Sequence, residues 1–362
     1  MTTKLSINEK KLVSIIVPCH NVSIYLNQSL SSIISQSYRP LEVILFNDCS
    51  IDNTKEIIHQ WINNNNQYND LIIIYGENND PSLSSCAFAR NSAINISSGE
   101  LIAHLDADDY MYPKRIEKQV ELYLNKDIKD CIIGCNFDRI PLDSTIYYTT
   151  WINSLNENDL LKQHFRECSI IAPSWMYPRS VYEKIALLKD NHRGFAEKYP
   201  GMNTVPEDLI FFLDHIENGG SIYKVHGDPL LTYRYSINST SSQISNIDLQ
   251  RVRIEYLQRM ILSQDKWKEF TIWSAGKDGK RFFNLLREDV ARQVVAFCDV
   301  DQKKIGMQYY CQRQRRHIPI ISYHNAKAPI IICVASKRTG GELEKNISTL
   351  HIKEGVDYFH FM

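Results

Sequence analysis

The chain has 362 residues, with 41 Lys and Arg against 42 Asp and Glu and a formal net charge of -1. That length predicts a second folding unit beside the first, and the balanced charge excludes the broad basic face that wraps nucleic acid or coats an anionic membrane. The nine cysteines are scattered and form no CxxC pair, which suits reduced, buried thiols better than a disulfide framework or a zinc site.

The opening MTTKLSINEKK is polar, without the apolar core of a signal peptide, and no run of about 18 apolar residues offers a membrane span. A cytoplasmic protein is expected. From Val13 the strand-like runs VSIIVP, LEVILF, LIIIY and LIAHLD alternate with amphipathic stretches, the first carrying Leu26, Leu30, Ile33 and Ile34. Apolar strands separated by helices predict a parallel sheet covered on both faces, an α/β sandwich. Ligands of such sheets sit beyond the carboxyl ends of the strands, where residues 18–21, 47–50 and 106–109 fall. One crevice is expected to collect all three.

Residues 140–220 mix aromatic and polar side chains, with a loop expected at 191–204 before a helix starting near Pro206; this region suits an acceptor site. Residues 236–246 read as a linker, followed by a helix to about Gln264. FTIWSAG, FFNLLR, QVVAFCDV and PIIICVA then read as strand, helix, strand and strand of a small Rossmann-like unit. The predicted division is 12–240, a helical connection at 241–268, and 269–362.

The densest chemistry is LDADD. A strand that ends in Asp106, Asp108 and Asp109 places hard oxygen ligands where a divalent ion can bridge to a diphosphate; the competing reading is that these acids cap the helix after Pro113. In FNDCSIDNT, Ser50 or Asp52 reads as an N-cap, whereas Asp48 can accept the N3 hydrogen of uracil. VPCHN ends the first strand at Pro18, its following backbone free to approach a base or ribose. Arg90 can reach a diphosphate or hold Asp106, or belong to a solvated helix face. Glu207 and Asp208 open an apolar helix, where the dipole favours acids without chemistry but where one carboxylate can serve as a base. Ser274-Ala275-Gly276-Lys277-Asp278-Gly279 is a dinucleotide fingerprint with its first Gly replaced by Ser, and Asp299 follows at the ribose-binding distance; the altered turn favours a structural or regulatory unit over one that binds NAD.

Taken in order, VPCHN, FNDCSIDNT, ARNSAINISSGELIAHLDADD and PEDLIFF resemble the family 2 glycosyltransferases with the GT-A fold, and the tail is similar to that of β-1,3-N-acetylglucosaminyltransferase-like members. The resemblance implies a nucleotide-diphospho-sugar transferase sandwich with a small C-terminal Rossmann-like domain. It implies a UDP-sugar donor, UDP-N-acetylglucosamine among the candidates, a Mn²⁺ or Mg²⁺ ion, and inversion at the sugar carbon. The acceptor, whether glycan, protein or small molecule, stays open. Pro18, His20, Asn21 and Asp48 would then line the nucleotide pocket and Arg90 would support it. Asp106 would approach the ribose, and Asp108, with Asp106, would hold the metal. Asp208 would be the base, with Glu207 its rival. Trp175 would stack on a sugar or lie in the core. Three departures stand out: Ser236 where relatives carry a His, with His226 as a substitute; Cys49 where a Gly is usual; and no QxxRW motif, which implies addition of single sugars. A nucleotide-sugar sensor without turnover is the alternative.

Overall fold

The computed structural model describes residues 10–126, 129–188, 193–235 and 243–362. The apolar runs form β1 (Val13–Cys19), β2 (Leu41–Asp48), β3 (Leu71–Asn78) and β4 (Leu101–His104), with α1 (Ser23–Ile34), α2 (Thr54–Asn65) and α3 (Cys86–Asn95) between them. These strands are parallel, in the order β3-β2-β1-β4. Every residue of β2 and β4 is buried, as expected of largely apolar strands covered on both sheet faces; the charge inside β2, Glu42, is met by the Ser14 and Ser98 hydroxyls. β3, at the edge, leaves Ile72 exposed.

There follow β5 (Tyr110–Met111), α4 (Arg115–Lys126), β6 (Cys131–Cys135), β7 (Phe137–Ile140), α5 (Ile146–Ser154), α6 (Glu157–Gln163), β8 (Met176–Pro178), α7 (Arg179–Leu187), α8 (Glu207–Glu217), β9 (Ser221–Val225) and β10 (Leu231–Arg234). Beyond β4 the sheet continues as β8-β6-β9, with β8 antiparallel to both its neighbours. The sheet is therefore mixed, and the parallel expectation holds for its first four strands. A second, three-stranded sheet, β5-β10-β7, ties the segment after Asp109 to residues more than a hundred positions later. Arg115, fully buried, donates from Nη2 to His104 O at 2.8 Å and so pins α4 against the end of β4.

Two compact units result, one holding residues up to 157 with 170–243, the other 158–169 with 244–362. Residues 158–169 and the helix Asn246–Leu257, read from sequence as first domain and linker, thus group with the second unit. The reason is burial: Phe165 packs on Tyr256 and Phe359 with centroids 5.5 and 4.9 Å away, and Gln163 donates to Glu354 at 2.7 Å.

In the second unit, β11 (Phe270–Trp273), β12 (Val294–Asp299), β13 (Gln308–Cys311), β14 (Arg316–Ser322), β15 (Ile330–Ile332) and β16 (Tyr358–His360) form one sheet in the order β13-β14-β12-β11-β15-β16, parallel except at β13. Among the described residues none of the nine cysteines forms a disulfide, and no helix is long and apolar enough to cross a membrane.

Candidate active site

β4 ends at His104 and the chain turns at once, Asp109 N donating to Asp106 O at 2.9 Å. The three acids of this turn part company. Asp109 is buried and accepts Arg234 N through Oδ1 at 2.7 Å; Asp106 and Asp108 stay partly open. Arg234 also donates from Nε to Asp108 O at 2.9 Å and from Nη2 to Gln28 at 2.8 Å, its guanidinium lying 4.4 Å from the Tyr25 ring centre. Asp109 is thus an anchor for β10. The capping reading fails, because Gln36 Oε1 accepts Ile116 N at 3.2 Å while Arg115 N goes to Tyr112 O. Burial, reinforced by Asp106, pushes the Asp108 carboxyl up to about 6. Burial and the charges of Asp108 and Asp106 raise Asp109 well above the usual carboxylate range.

Arg90 is buried on α3 beneath this turn, which rules out the solvated-face reading. Its Nη2 donates to Asp106 Oδ1 at 2.8 Å and its Nη1 to Glu207 Oε1 at 2.5 Å. One guanidinium therefore joins the β4 turn to the start of α8. Burial pushes Glu207 up to about 7 against the pull of Arg90, with Asp208 adding to the rise. Asp208 is half-buried, accepts Leu209 N at 2.7 Å and is raised by burial, with Arg90 opposing.

A second cluster stands at the ends of β1 and β2. Asp48 is buried, its Oδ1 taking Asn78 Nδ2 at 2.7 Å and its Oδ2 taking Ser84 Oγ at 3.0 Å. Four of its lone-pair sites are thereby half used, leaving room for a further donor. His20 Nδ1 lies 2.5 Å from Asp48 O and its Nε2 3.0 Å from Asn21 Nδ2. A carbonyl only accepts, so the proton belongs on Nδ1 and the Asn21 amide donates to Nε2. Pro18 is half-buried in β1, level with Phe46.

The turn after β2 departs from its predicted capping. Asp52 takes Thr54 N and Ser23 N, both at 3.0 Å, and so ties the starts of α1 and α2 together; Ser50 Oγ accepts Asn21 N. Asn53 holds the N-cap position instead. Burial raises Asp52, but the hydrogen bonds from Thr54 and Ser23 outweigh it and bring the carboxyl to about 2. Cys49, at φ 56°, takes a left-handed conformation of the kind that favours glycine.

All these residues stand at the carboxyl ends of β2, β1 and β4, which are adjacent, or on helices that pack there. Hydrogen bonds unite Arg90, Asp106 and Glu207, and separately His20, Asn21 and Asp48; no described contact joins the two groups. Trp175 is not at the site. It is fully buried, donates to Ile170 O at 3.1 Å and stacks on Phe211 and Phe212. His226 is exposed, its charged neighbours being Lys224 and Glu157. Ser236 lies outside the described residues. Sequence reasoning assigned no role to Arg234, Asn78 or Ser84; the polar residue ending β3, as others end β1 and β2, was the available signal for Asn78.

Residues 14–186 match the model of "Glycosyl transferase family 2". The glycosyltransferase GlyG of Streptococcus pneumoniae serotype 4 is 30% identical over 309 residues, 81% of this chain and 98% of that protein. The chain belongs to glycosyl transferase family 2. It is accordingly a transferase enzyme. Hyaluronan synthase of Pasteurella multocida is 31% identical over 378 residues, 97% of this chain, which spans only 34% of that relative's length. Among solved structures, S. aureus TarS 1-349 in complex with UDP superposes with a TM-score of 0.52 at 16% identity, covering 78% of this chain and 83% of that one. The Pyrobaculum calidifontis mannosyltransferase in complex with GDP-Man and Mn²⁺ gives 0.50 at 16%, covering 70% and 65%. These two establish the likeness of fold, a GT-A sandwich.

Proposed function

We propose that this glycosyltransferase moves a sugar from a nucleotide-sugar donor, a UDP-sugar, onto an acceptor hydroxyl with inversion. The observation that carries the reading is the double pairing of Arg90, which holds the Asp106 turn and the carboxylates opening α8 around one buried charge. Asp48 supports a uridine nucleotide: its carboxylate retains acceptor capacity for the uracil N3 hydrogen, and Pro18, His20 and Asn21 flank it. UDP-N-acetylglucosamine is the donor to try first.

The residues fit a divalent ion. Asp106 and Asp108 offer hard oxygens on one turn, and the Asp108 carboxyl, raised first by burial and then by the neighbouring Asp106, is one whose charged form a cation would favour. Among the described residues no group of three or more His, Cys, Asp or Glu side chains is arranged to hold a metal. Two carboxylates completed by the donor's phosphates and water is the mode Mg²⁺ commonly adopts, and Mn²⁺ suits the same oxygen donors. Asp108, with Asp106, would hold the ion, which supplies positive charge to the departing diphosphate.

Asp208 is the favoured base. Glu207 is committed to Arg90, whereas Asp208 stays half-open, and burial makes it more basic than a surface aspartate. It takes the acceptor hydroxyl proton as that oxygen attacks the anomeric carbon; the bond from this carbon to the diphosphate breaks, and the nucleoside diphosphate leaves from the opposite face. The test is a panel of nucleotide sugars with and without Mn²⁺, comparing wild type with Asp108→Ala and reading product anomer by NMR. Mn²⁺-dependent turnover lost in the variant supports the reading. Binding without turnover on any acceptor indicates a sensor instead.

A further inference from the structure

The second unit carries a cavity that sugar transfer does not use. Its parallel strands run β14-β12-β11-β15-β16. The chain enters at β11, builds outward through β12 and β14, then returns to add β15 and β16 on the other side. Strand order therefore reverses between β11 and β15, and ligands of open parallel sheets bind beyond the carboxyl ends of the strands at such a point. A cavity of about 230 Å³ opens there, with Trp273 from the end of β11, Asp299 from the end of β12 and Val334 just past β15 in its walls, joined by Lys304, Glu342 and Asn346.

We propose that this cavity binds a mononucleotide, with a ribose hydroxyl on Asp299 and the phosphate toward Lys304. Asp299 is buried and accepts from Ala275 N at 2.9 Å, Asp301 N at 3.0 Å and Lys304 Nζ at 3.1 Å. A carboxylate has about four acceptor positions, so one remains for a hydroxyl. Lys304 is the sole cation among the described lining residues. Asn346 receives the Tyr323 hydroxyl on Oδ1 at 2.9 Å, which leaves its amide hydrogens for the ligand, and Trp273 is held by stacking on Tyr323 at 5.3 Å. The volume decides between nucleotides: pockets for drug-sized ligands run to roughly 300–1,000 Å³, so this one takes a single nucleotide and not a dinucleotide.

The substituted fingerprint does not block the site. Ser274 stands at φ 129°, in the half of conformational space that favours glycine, so the turn takes a backbone shape that a glycine would adopt freely. A Cβ on Gly279 would meet Ser274 O at 2.0 Å, so the helix Lys277–Leu285 approaches the turn as closely as in an intact fingerprint.

The test separates this cavity from the first unit by using the full chain bearing Asp48→Ala and Asp108→Ala, in EDTA, which removes the uracil acceptor together with a metal ligand. AMP, GMP, CMP and UMP, with the four nucleosides, are titrated calorimetrically into it and into versions that add Asp299→Asn or Lys304→Gln. Expected is one mononucleotide bound per chain, at least tenfold weaker with Asp299→Asn. Lys304→Gln, at a part-exposed position, should weaken the nucleotide and leave its nucleoside unchanged. No binding of any of the eight at millimolar concentration overturns the proposal, as does binding that neither substitution alters.

Discussion

Arg90 donates to Glu207 at 2.5 Å across 117 residues of chain, with 4% and 9% of the two side chains exposed. A pair so enclosed matters most when it is broken, because the survivor stays buried without its partner and must either hold an uncompensated charge or shift its protonation. Removing one member of a buried pair costs about 3–5 kcal/mol. Arg90→Met should therefore lower the unfolding free energy by that order in urea titrations, and Glu207→Gln added to it should recover part of the loss. A deficit below about 1 kcal/mol, the range of exposed pairs, would mean that water reaches the pair.

The same pairing separates two adjacent acids that sequence could not rank. Asp208→Asn removes the base and leaves the Arg90 bridge, so kcat should fall by about 10²–10⁴ while donor affinity and thermal stability stay near wild type. Glu207→Gln should cost stability and a smaller part of kcat. The reverse order of kcat losses would exchange their roles.

Asp108 and Asp109 give a second separation. Burial already favours the protonated form of Asp109, and its contact is an acceptor for Arg234 N. Asp109→Asn preserves that acceptor and should change stability by less than about 1 kcal/mol, the net value of a typical hydrogen bond. Asp108→Asn should abolish the Mn²⁺ dependence of donor binding. Equal Mn²⁺ affinity in the two variants, by titration in the presence of UDP, would sink the assignment of Asp108.

The sheet was legible where burial is complete: β1, β2 and β4 are apolar runs whose length and spacing admit little else. β8 was not, since three residues inside an irregular aromatic stretch carry no period that tells strand direction. In the DADD turn, the sequence marks three carboxylates alike. What divides anchor from ligand is Arg234, 125 residues after Asp109, and no local pattern encodes that meeting. Ser274 is similar: its letter breaks the fingerprint, and only its backbone angle reveals that the turn survives.

Acid should weaken the second unit through two histidines. His164 packs against Phe165 and Tyr256, and burial brings it to about 4 against the help of the Leu161 carbonyl. His360 is also brought to about 4 by burial, with Arg166 lowering it and Glu344 raising it. An unfolded histidine takes its proton near pH 6.5, so between about 6.5 and 4 the unfolded state binds more protons and stability falls as pH falls, by up to about 1.4 kcal/mol per pH unit for each. Glu207 acts in the opposite sense. Its folded value of about 7 exceeds that of a free glutamate, so its contribution declines as pH rises from about 4.5 to 7. The two slopes partly cancel in the whole chain, and a bare pH profile would hide both. The informative quantity is the difference between wild type and His164→Gln/His360→Gln in urea midpoint at pH 7.5, 6 and 5. Wild type should lose its advantage as pH drops; a difference that stays constant would show that neither histidine resists protonation in the folded state.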